Sequence, residues 1–500
     1  MPEAPGATPL APRQRAEITD WDTETDVVVV GYGCAGASAA LGARQAGAEV
    51  VVVERTGAPG GASALAGGEI YLGGGTPVQE ACGFSDTVDA MRAYLLAATG
   101  PAPNVAKVDA YCEGSVDHFH WLVSCGVEFK PSFYDQPCWE PPTDDGLVYS
   151  GGENTHPFAT IAPPAPRGHV PRMEGKRMGE RSAGWMLMHH LTQRAGQQGV
   201  TALTDLRVEA AVVDEAGRVI GVTGRRYGEP VALRARRGVV LATGGFAANA
   251  AMVAEHAPSI AGQYPLGTDG DDGLAIRIGQ GLGASVRHLD AAEAAMPTTP
   301  AILYPSLLVN EQGQRFINED TYAGRVGQAV LFHQHGRVHV VLDEEIFESV
   351  PPAERWQPQP TWAAATVAEL GSDMGLPPGA LEATVDLYNR HAADGDDPVF
   401  HKRAEWIKPL RPPFGAIDLT GGGYPVFTLG GLETTIDGEV VGPGGRPIPG
   451  LYAAGRATSG IPSWGYSSGT SLGDGTFFGR RAGLAAGRAE PHPPPLAASM

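Results

Sequence analysis

Several things are scarce in this chain, and each scarcity excludes something. No apolar run is long enough to cross a bilayer as a helix, which excludes a helical membrane span. There are only five cysteines (Cys34, Cys82, Cys112, Cys125 and Cys138), and none forms a CxxC pair. That spacing excludes haem attachment through CxxCH and offers no metal-ligand set, so no metal is expected. Scattered, odd-numbered thiols without a signal-peptide core imply reduced cysteines and a cytoplasmic protein. Basic residues are also few, 36 against 56 acidic ones, for a net charge of −20. Such a surface repels nucleic acid and anionic membranes, so neither is expected as a partner.

Glycine, by contrast, is abundant, with 69 residues, and its placement carries the first strong signal. The segment DVVVVGYGCAGASAALGARQAGAEVVVVER runs from Asp26 to Arg55. Val27 to Val30 form a short apolar run, the pattern of a parallel strand buried on both faces. Gly31, Gly33 and Gly36 follow at once in GxGxxG spacing. The first glycine permits the tight turn, the second lets backbone approach a pyrophosphate, and the third lets a helix pack closely on the strand. The N-terminus of that helix, near Ala35, presents free N–H groups to phosphate. Glu54, closing the next strand beside Arg55, stands where an acid hydrogen-bonds a ribose 2′-hydroxyl. A lone GxGxxG is weak evidence; strand, glycines, helix, strand and terminal acid together specify a dinucleotide-binding βαβ unit.

Further patches of small residues follow. The stretch after Arg55 contains Gly60-Gly61-Ala62-Ser63 and Gly67-Gly68 where a nicotinamide-binding domain would proceed to its next helix. Ala242-Thr243-Gly244-Gly245 lies in VVLATGGFAANAAM, with Asn249 six residues past Thr243. Gly270-Asp271-Asp272-Gly273 precedes another helix. Near the C-terminal end, AAGRATSGIPSWGYSSGTSLGDGTFFGRRAG spans Ala453 to Gly483, where a Gly-Tyr-Ser-Ser-Gly turn opens a helix of small residues.

The order of these patches resembles the fumarate reductase and ketosteroid dehydrogenase superfamily of flavoproteins. Over residues 25–485 the chain is most similar to the FAD-dependent 3-ketosteroid dehydrogenases, in their Δ4-(5α) branch. The details that carry this are GGEIYLGGGTPVQEACGFSDTVDAM in place of a proline-rich loop, RFINEDTY with Tyr322, and Gly465-Tyr466-Ser467-Ser468-Gly469. The resemblance implies an α/β fold: a Rossmann-like FAD-binding domain at 25–288 and 412–487, with an α+β substrate-binding cap inserted at 289–411. Residues 1–24 and 488–500 are expected as flexible termini. Alternation in Val208 to Val222 around Gly217 predicts a small antiparallel insertion. Residues 131–181, rich in Pro, Gly, His and Tyr, are expected as a long ordered loop near the active site.

The same resemblance implies the cofactor and its residues. FAD is expected at Gly31, Gly33, Ala35, Gly36, Glu54, Arg55, Ala62, Ser63, Gly67, Gly68, Val208, Ala242, Thr243, Gly244, Asn249, Asp272, Gly455, Arg456, Ser471 and Leu472. No histidine lies between Ala62 and Gly68, the region of covalent attachment in respiratory fumarate reductases, so the FAD is expected to be non-covalent. The implied activity is formation of a double bond between C4 and C5 of a 5α-3-ketosteroid. Removing a proton alpha to a ketone and a hydride beta to it calls for a weak base and a donor to the carbonyl oxygen. The implied residues are Ser468 assisted by Tyr322 at C4, and Tyr466 at the C3 oxygen. The electron acceptor is not written in the sequence.

Three other readings compete. A Δ1-dehydrogenase would place a tyrosine at the same C-terminal position. A fumarate or urocanate reductase would use an arginine in the Tyr322 motif, where Arg325 is the candidate. A redox subunit passing electrons to a protein partner would leave Tyr322, Tyr466 and Ser468 idle. His189 and His190 lie in a periodic helical run and read as structural, whereas His156 and His169 fall in the long loop and are candidates for a pocket.

Overall fold

The computed structural model describes residues 6–176, 181–355 and 359–492. Strand β1, Thr23–Val30, carries the first valine run and leads through the glycine turn into helix α1, Cys34–Gln45. Strand β2, Val50–Val53, returns parallel to β1, and β3, Thr201–Leu203, lies parallel beyond β2. Both faces of these strands are covered, which explains valine at successive positions. Val27, Val29, Val50 and Val52 join the apolar cluster under α1, while Val28, Val30, Val51 and Val53 join the cluster on the opposite face.

The antiparallel insertion forms as expected. Strands β4, Leu206–Val213, and β5, Val219–Arg226, make a hairpin around Gly217. The chain then enters β6, Glu229–Leu241, the longest strand and the point where the sheet forks. Its first half pairs antiparallel with β5; its second half runs parallel to β1, with an irregularity between Ala235 and Gly238.

A second, four-stranded antiparallel sheet follows strand β7, Ala292–Ala294. It is built from β8, Leu307–Asn310; β9, Val338–Asp343; β10, Trp362–Ala364; and β11, Phe414–Asp418. Helix α2, Ala323–Gln328, lies between β8 and β9 in the chain. Past Gly313, the chain returns to β8 only through a single bridge, Val309 to Arg315. The chain does not leave this sheet at residue 411. β11 pairs with β9, and β12, Pro425–Thr428, pairs with β7 before Gly431–Leu432 returns to Val286–Arg287. The boundary therefore falls about twenty residues later than the sequence implied, because β9 needs a partner on its second edge.

Strand β13, Pro447–Ala453, then re-enters the first sheet beside the second half of β6, and helix α3, Thr470–Arg488, crosses α1. Gly475, Gly479, Gly483 and Gly487 recur every fourth residue along one face of α3. A Cβ on Gly483 would sit 1.9 Å from the carbonyl oxygen of Ala39, and one on Gly42 would sit 2.2 Å from that of Arg480. The two backbones touch, so glycine is required there.

The N-terminal segment is docked rather than loose, which corrects the expectation for the residues described there. Arg13–Gln14 adds to the edge of the first sheet beside β4, and Ile18 is buried against Val212 and Ile220. Pairing an open sheet edge and burying an isoleucine both favour order. Residues 1–5 and 493–500 lie outside the described residues. The loop at 131–181 contains short strands Phe133–Tyr134, Leu147–Val148 and Gly168–His169, which form a small sheet with Ile70–Tyr71. All five cysteines are unpaired. Among the described residues no helix is long and apolar enough to cross a membrane, and no cluster of metal ligands occurs.

Candidate active site

Two adjoining regions gather the predicted residues. The first is a cradle at the C-terminal ends of the parallel strands. Gly31 has φ +101°, and a Cβ there would lie 2.4 Å from the carbonyl oxygen of Ala242. A Cβ on Gly36 would lie 1.9 Å from the Gly31 oxygen, so the turn closes only with glycine. Ser63 crosses in front of α1, its Oγ accepting the Cys34 N–H at 3.1 Å. Glu54 is buried at the end of β2. Its carboxylate accepts the N–H of Tyr32 and of Thr56, each at 3.0 Å, and the Thr56 hydroxyl at 3.0 Å. Leu206 donates to the Glu54 carbonyl at 3.0 Å, which brings the buried Val208 and its strand beside the acid.

The other predicted cradle residues form its supports. Thr243 accepts the N–H of Ala275, and Gly244 turns with φ +81°. Asp271 accepts the Gly245 N–H at 2.9 Å and pairs with Arg456 at 3.1 Å. Asn249 is fully buried and acts as a helix cap, accepting from Met252 N–H and donating to the Asp272 carbonyl at 2.9 Å. Asp272 pairs with Arg55 at 3.1 Å. Gly455 places its backbone against Ala35 of α1. Ala62 lies in the short helix Gly61–Leu65, and Gly68, at φ +97°, abuts Ala183. Helix α3 opens with Ser471 and Leu472 in its first turn, and the buried Ser471 Oγ has no hydrogen-bond partner among the described residues. A glycine cradle, an acid at the strand end, two helix N-termini and an orphaned hydroxyl at one of them fit FAD.

The second region is an aromatic cleft. Tyr322, immediately before α2, and Ser468 line it together with Cys138, Trp139, Tyr149 and Tyr304. Tyr466 stands behind, its ring 6.3 Å from that of Tyr322 and 5.1 Å from Phe427. Trp139 meets Tyr322 edge-on at 6.3 Å. The Ser471 N–H points to the Tyr466 hydroxyl oxygen at 3.4 Å, which ties cleft to cradle. Ser468 donates its N–H to the Ser150 carbonyl at 3.0 Å, fixing the turn against the long loop. Its neighbour Ser467 points away, bonded to Tyr94 at 2.8 Å, while Tyr94 donates to the Gly151 carbonyl. Burial pushes the Tyr466 phenol above its usual range. Burial, Glu293 and Tyr466 push Tyr322 well above it. Both phenols therefore stay protonated at neutral pH and keep a hydrogen to donate.

Arg325 is turned away from the cleft. Its guanidinium donates to the Ala98 carbonyl at 3.0 Å and covers the Phe158 ring at 4.4 Å. Arg403, which does line the cleft, is held by Asp320 at 3.0 Å. His169 is fully buried, bonded to Thr76, and pushed down to about 4 by burial; His156 packs against His401 with the two rings tilted. His189 and His190 stand on the helix Ala183–Gln197, as their periodicity predicts.

Sequence reasoning missed the buried acids around the cleft. Glu293, on β7, is 1 % exposed and lies against Tyr322. Glu69 converges with Glu140 over Gly67, and burial followed by the Glu140 charge pushes it up to about 8. In the sequence both are single acids in small or apolar runs, and only their isolation there marks them.

Known proteins match this chain over nearly its whole length. A sequence profile of the FAD binding domain family matches residues 26–472. The solved structure of 3-ketosteroid-Δ4-(5α)-dehydrogenase from Rhodococcus jostii RHA1, in complex with 4-androstene-3,17-dione, is 53% identical with a TM-score of 0.94. That match covers 96% of this chain and 100% of that one. The 3-oxo-5-alpha-steroid 4-dehydrogenase of Comamonas testosteroni is 28% identical, covering 88% of this chain and 94% of the relative. A probable fumarate reductase of Shewanella frigidimarina is 27% identical, covering 94% of this chain and 76% of the relative.

Proposed function

The chain belongs to the FAD binding domain family and, within it, to the 3-ketosteroid dehydrogenases; from that premise we propose that it oxidises a 5α-3-ketosteroid to the 4-ene-3-one. The second sheet, with residues 289 to about 430, acts as the cap over the steroid. One observation carries the reading within this family. A half-buried phenol, Tyr322, and a serine line one aromatic cleft with the buried Tyr466 ring packed behind Tyr322, and the nearby arginine of the rival reductase reading is turned onto a carbonyl and a phenyl ring. Such a lining suits a flat, neutral ketone rather than a dicarboxylate.

The residues divide the work by chemistry. The ketone acidifies the hydrogen on C4, which leaves as a proton, whereas the C5 hydrogen carries no such activation. FAD, when bound, supplies the hydride acceptor. Tyr466 donates to the C3 carbonyl oxygen and stabilises the enolate charge that develops there. The Ser471 N–H on its oxygen polarises that phenol and strengthens its donation. Ser468, assisted by Tyr322, takes the C4 proton. The cradle holds the flavin without a covalent bond, since residues 62–68 contain no histidine.

Anaerobic mixing of the flavin-loaded protein with a ring-A-saturated 5α-3-ketosteroid tests the reading. Bleaching of the flavin with a 4-ene-3-one product is expected. A 1-ene product would move the chain to the Δ1 branch, and a flavin that stays oxidised would overturn the assignment. Denaturation is expected to release the yellow colour; colour retained on the chain would show a covalent link.

A further inference from the structure

Glu293 lies against Tyr322 and is not among the residues lining the cleft. It is 1 % exposed, and neither carboxylate oxygen has a hydrogen-bond partner at full geometry among the described residues. Its position is built rather than incidental. A Cβ on Gly324, the second residue of α2, would lie 1.7 Å from Glu293 Oε1 and 2.7 Å from Tyr322 Cζ. Glu293 and Tyr322 therefore meet over a glycine whose missing side chain makes the room. A buried carboxylate costs several kcal/mol unless it is paired, so an orphan of this kind calls for an explanation. The groups acting on it are the Tyr322 hydroxyl and the Arg325 charge; Tyr466 and Glu69 act on Tyr322 in turn.

We propose that Glu293 is a positioning residue that acts through Tyr322, orienting its hydroxyl and holding the proton that Tyr322 passes back from Ser468. The inference rests on the proposed steroid dehydrogenation. The balance is simple. The C4–H bond breaks, Ser468 gains that proton and yields its own to Tyr322, Tyr322 yields its own to the Glu293 carboxylate, and the enolate remains. Serine and tyrosine end as they began, and the carboxylate ends as a carboxylic acid. Among the described residues the other charged groups near Tyr322 are placed less well for this: Arg403 and Asp320 neutralise each other, Arg325 carries no lone pair, and Glu69 meets Glu140 over Gly67, whereas Glu293 lies against the Tyr322 ring. Burial pushes the Glu293 carboxyl up to about 8, which brings its affinity for a proton close to that of a working base.

The test compares wild type with Glu293→Gln and Glu293→Asp in the anaerobic reaction with a 5α-3-ketosteroid, from pH 6 to 10. The wild-type rate is expected to rise about tenfold per pH unit and level off above about 8. Glu293→Gln is expected to bind flavin and steroid as before, to lose the pH-dependent limb, and to run at least about tenfold slower at the plateau. Glu293→Asp, which keeps a titrating group, is expected to recover part of both. Glu293→Gln is also expected to unfold at a higher temperature, because it removes an orphaned carboxyl; a merely structural residue would give the opposite. A reacting wild type matched by Glu293→Gln in rate and pH profile overturns the role of Glu293 alone. A Glu293→Gln protein that unfolds more easily and fails to retain flavin overturns it too. A wild type that never bleaches with the steroid overturns the functional reading and this inference with it.

Discussion

Two buried carboxylates show how differently the cradle and the cleft are built. Glu54, 7 % exposed, receives two backbone N–H bonds and a hydroxyl, all at 3.0 Å. Glu293, 1 % exposed, receives no full hydrogen bond among the described residues. The first acid is held in one position by its three donors, as the proposed ribose contact requires. The second is left able to change state. In the cradle the acid is matched by backbone and hydroxyl donors, and the orphaned Ser471 hydroxyl faces the boundary with the cleft. Around the cleft, Glu293 and Glu69 are left with unmatched oxygens among the described residues, at a cost in stability.

The strongest way to break the comparison is to deny the cradle its glycines. Gly36→Val would drive a side chain into the Gly31 carbonyl. The expected outcome is protein without bound flavin, or no folded protein, read from the visible spectrum after purification. A Gly36→Val protein that stays yellow and active would show that the turn is plastic.

In the cleft, the proposed chemistry rests on single side chains. Tyr466→Phe is expected to lower kcat by about 10²–10³-fold, the loss typical of one oxyanion donor, with flavin retained. Ser468→Ala is expected to lower it by about 10²–10⁴-fold. Stopped-flow bleaching of the flavin measures both, and a loss confined to KM would mean that these residues only bind. The cradle acid should respond in affinity instead. Glu54→Gln replaces an acceptor by a group that also donates and leaves one N–H of the cradle poorly paired, at about 1–3 kcal/mol. Flavin affinity should fall about 10–100-fold with little change in the rate of the loaded enzyme, measured by titration of apoprotein.

The gentlest test is pH. The folded-state pKa of Glu293 stands near 8, above its ordinary 4.5, so the folded protein holds the proton more tightly than the unfolded chain. Stability is therefore lost as pH rises from about 4.5 to about 8 and is level beyond it. The slope is about 1.4 kcal/mol per unit for one such group. Glu293→Gln should flatten that slope and gain about 1–3 kcal/mol at pH 7, in denaturant titrations at pH 6, 7 and 8. An unchanged slope would mean that the carboxyl is not held in this way.

Legibility followed the same division. The βαβ unit, the antiparallel hairpin at Gly217 and the helix after Ser468 were readable because each is local. Period-two valines, a glycine triplet and a turn residue act within a few positions of themselves. The cleft residues Tyr322 and Ser468 were reachable only through resemblance, since nothing in their neighbours distinguishes them from a packed tyrosine and a helix-capping serine. The return of the chain was misplaced because the need of β9 for a second partner is a property of the sheet, invisible in residues 412–430 themselves. The docking of residues 6–24 escaped notice for the same reason: Ile18 finds its burial on β4 and β5, some two hundred residues away.

By itself, then, the sequence determined the kind of site the protein has. Glycines at Gly31, Gly33 and Gly36, and Glu54 at the next strand end, impose a dinucleotide cradle, because backbone conformation and short-range contacts are properties of adjacent residues. Tertiary structure alone decided the chemistry beside it. The pair Glu293 and Tyr322 and the pair Tyr466 and Ser468 come from two separate parts of the chain, and their facing and the missing partners of Glu293 exist only once the second sheet folds against the first. A proton affinity is set by what surrounds a group in space, and in this chain those surroundings come from residues far away in sequence.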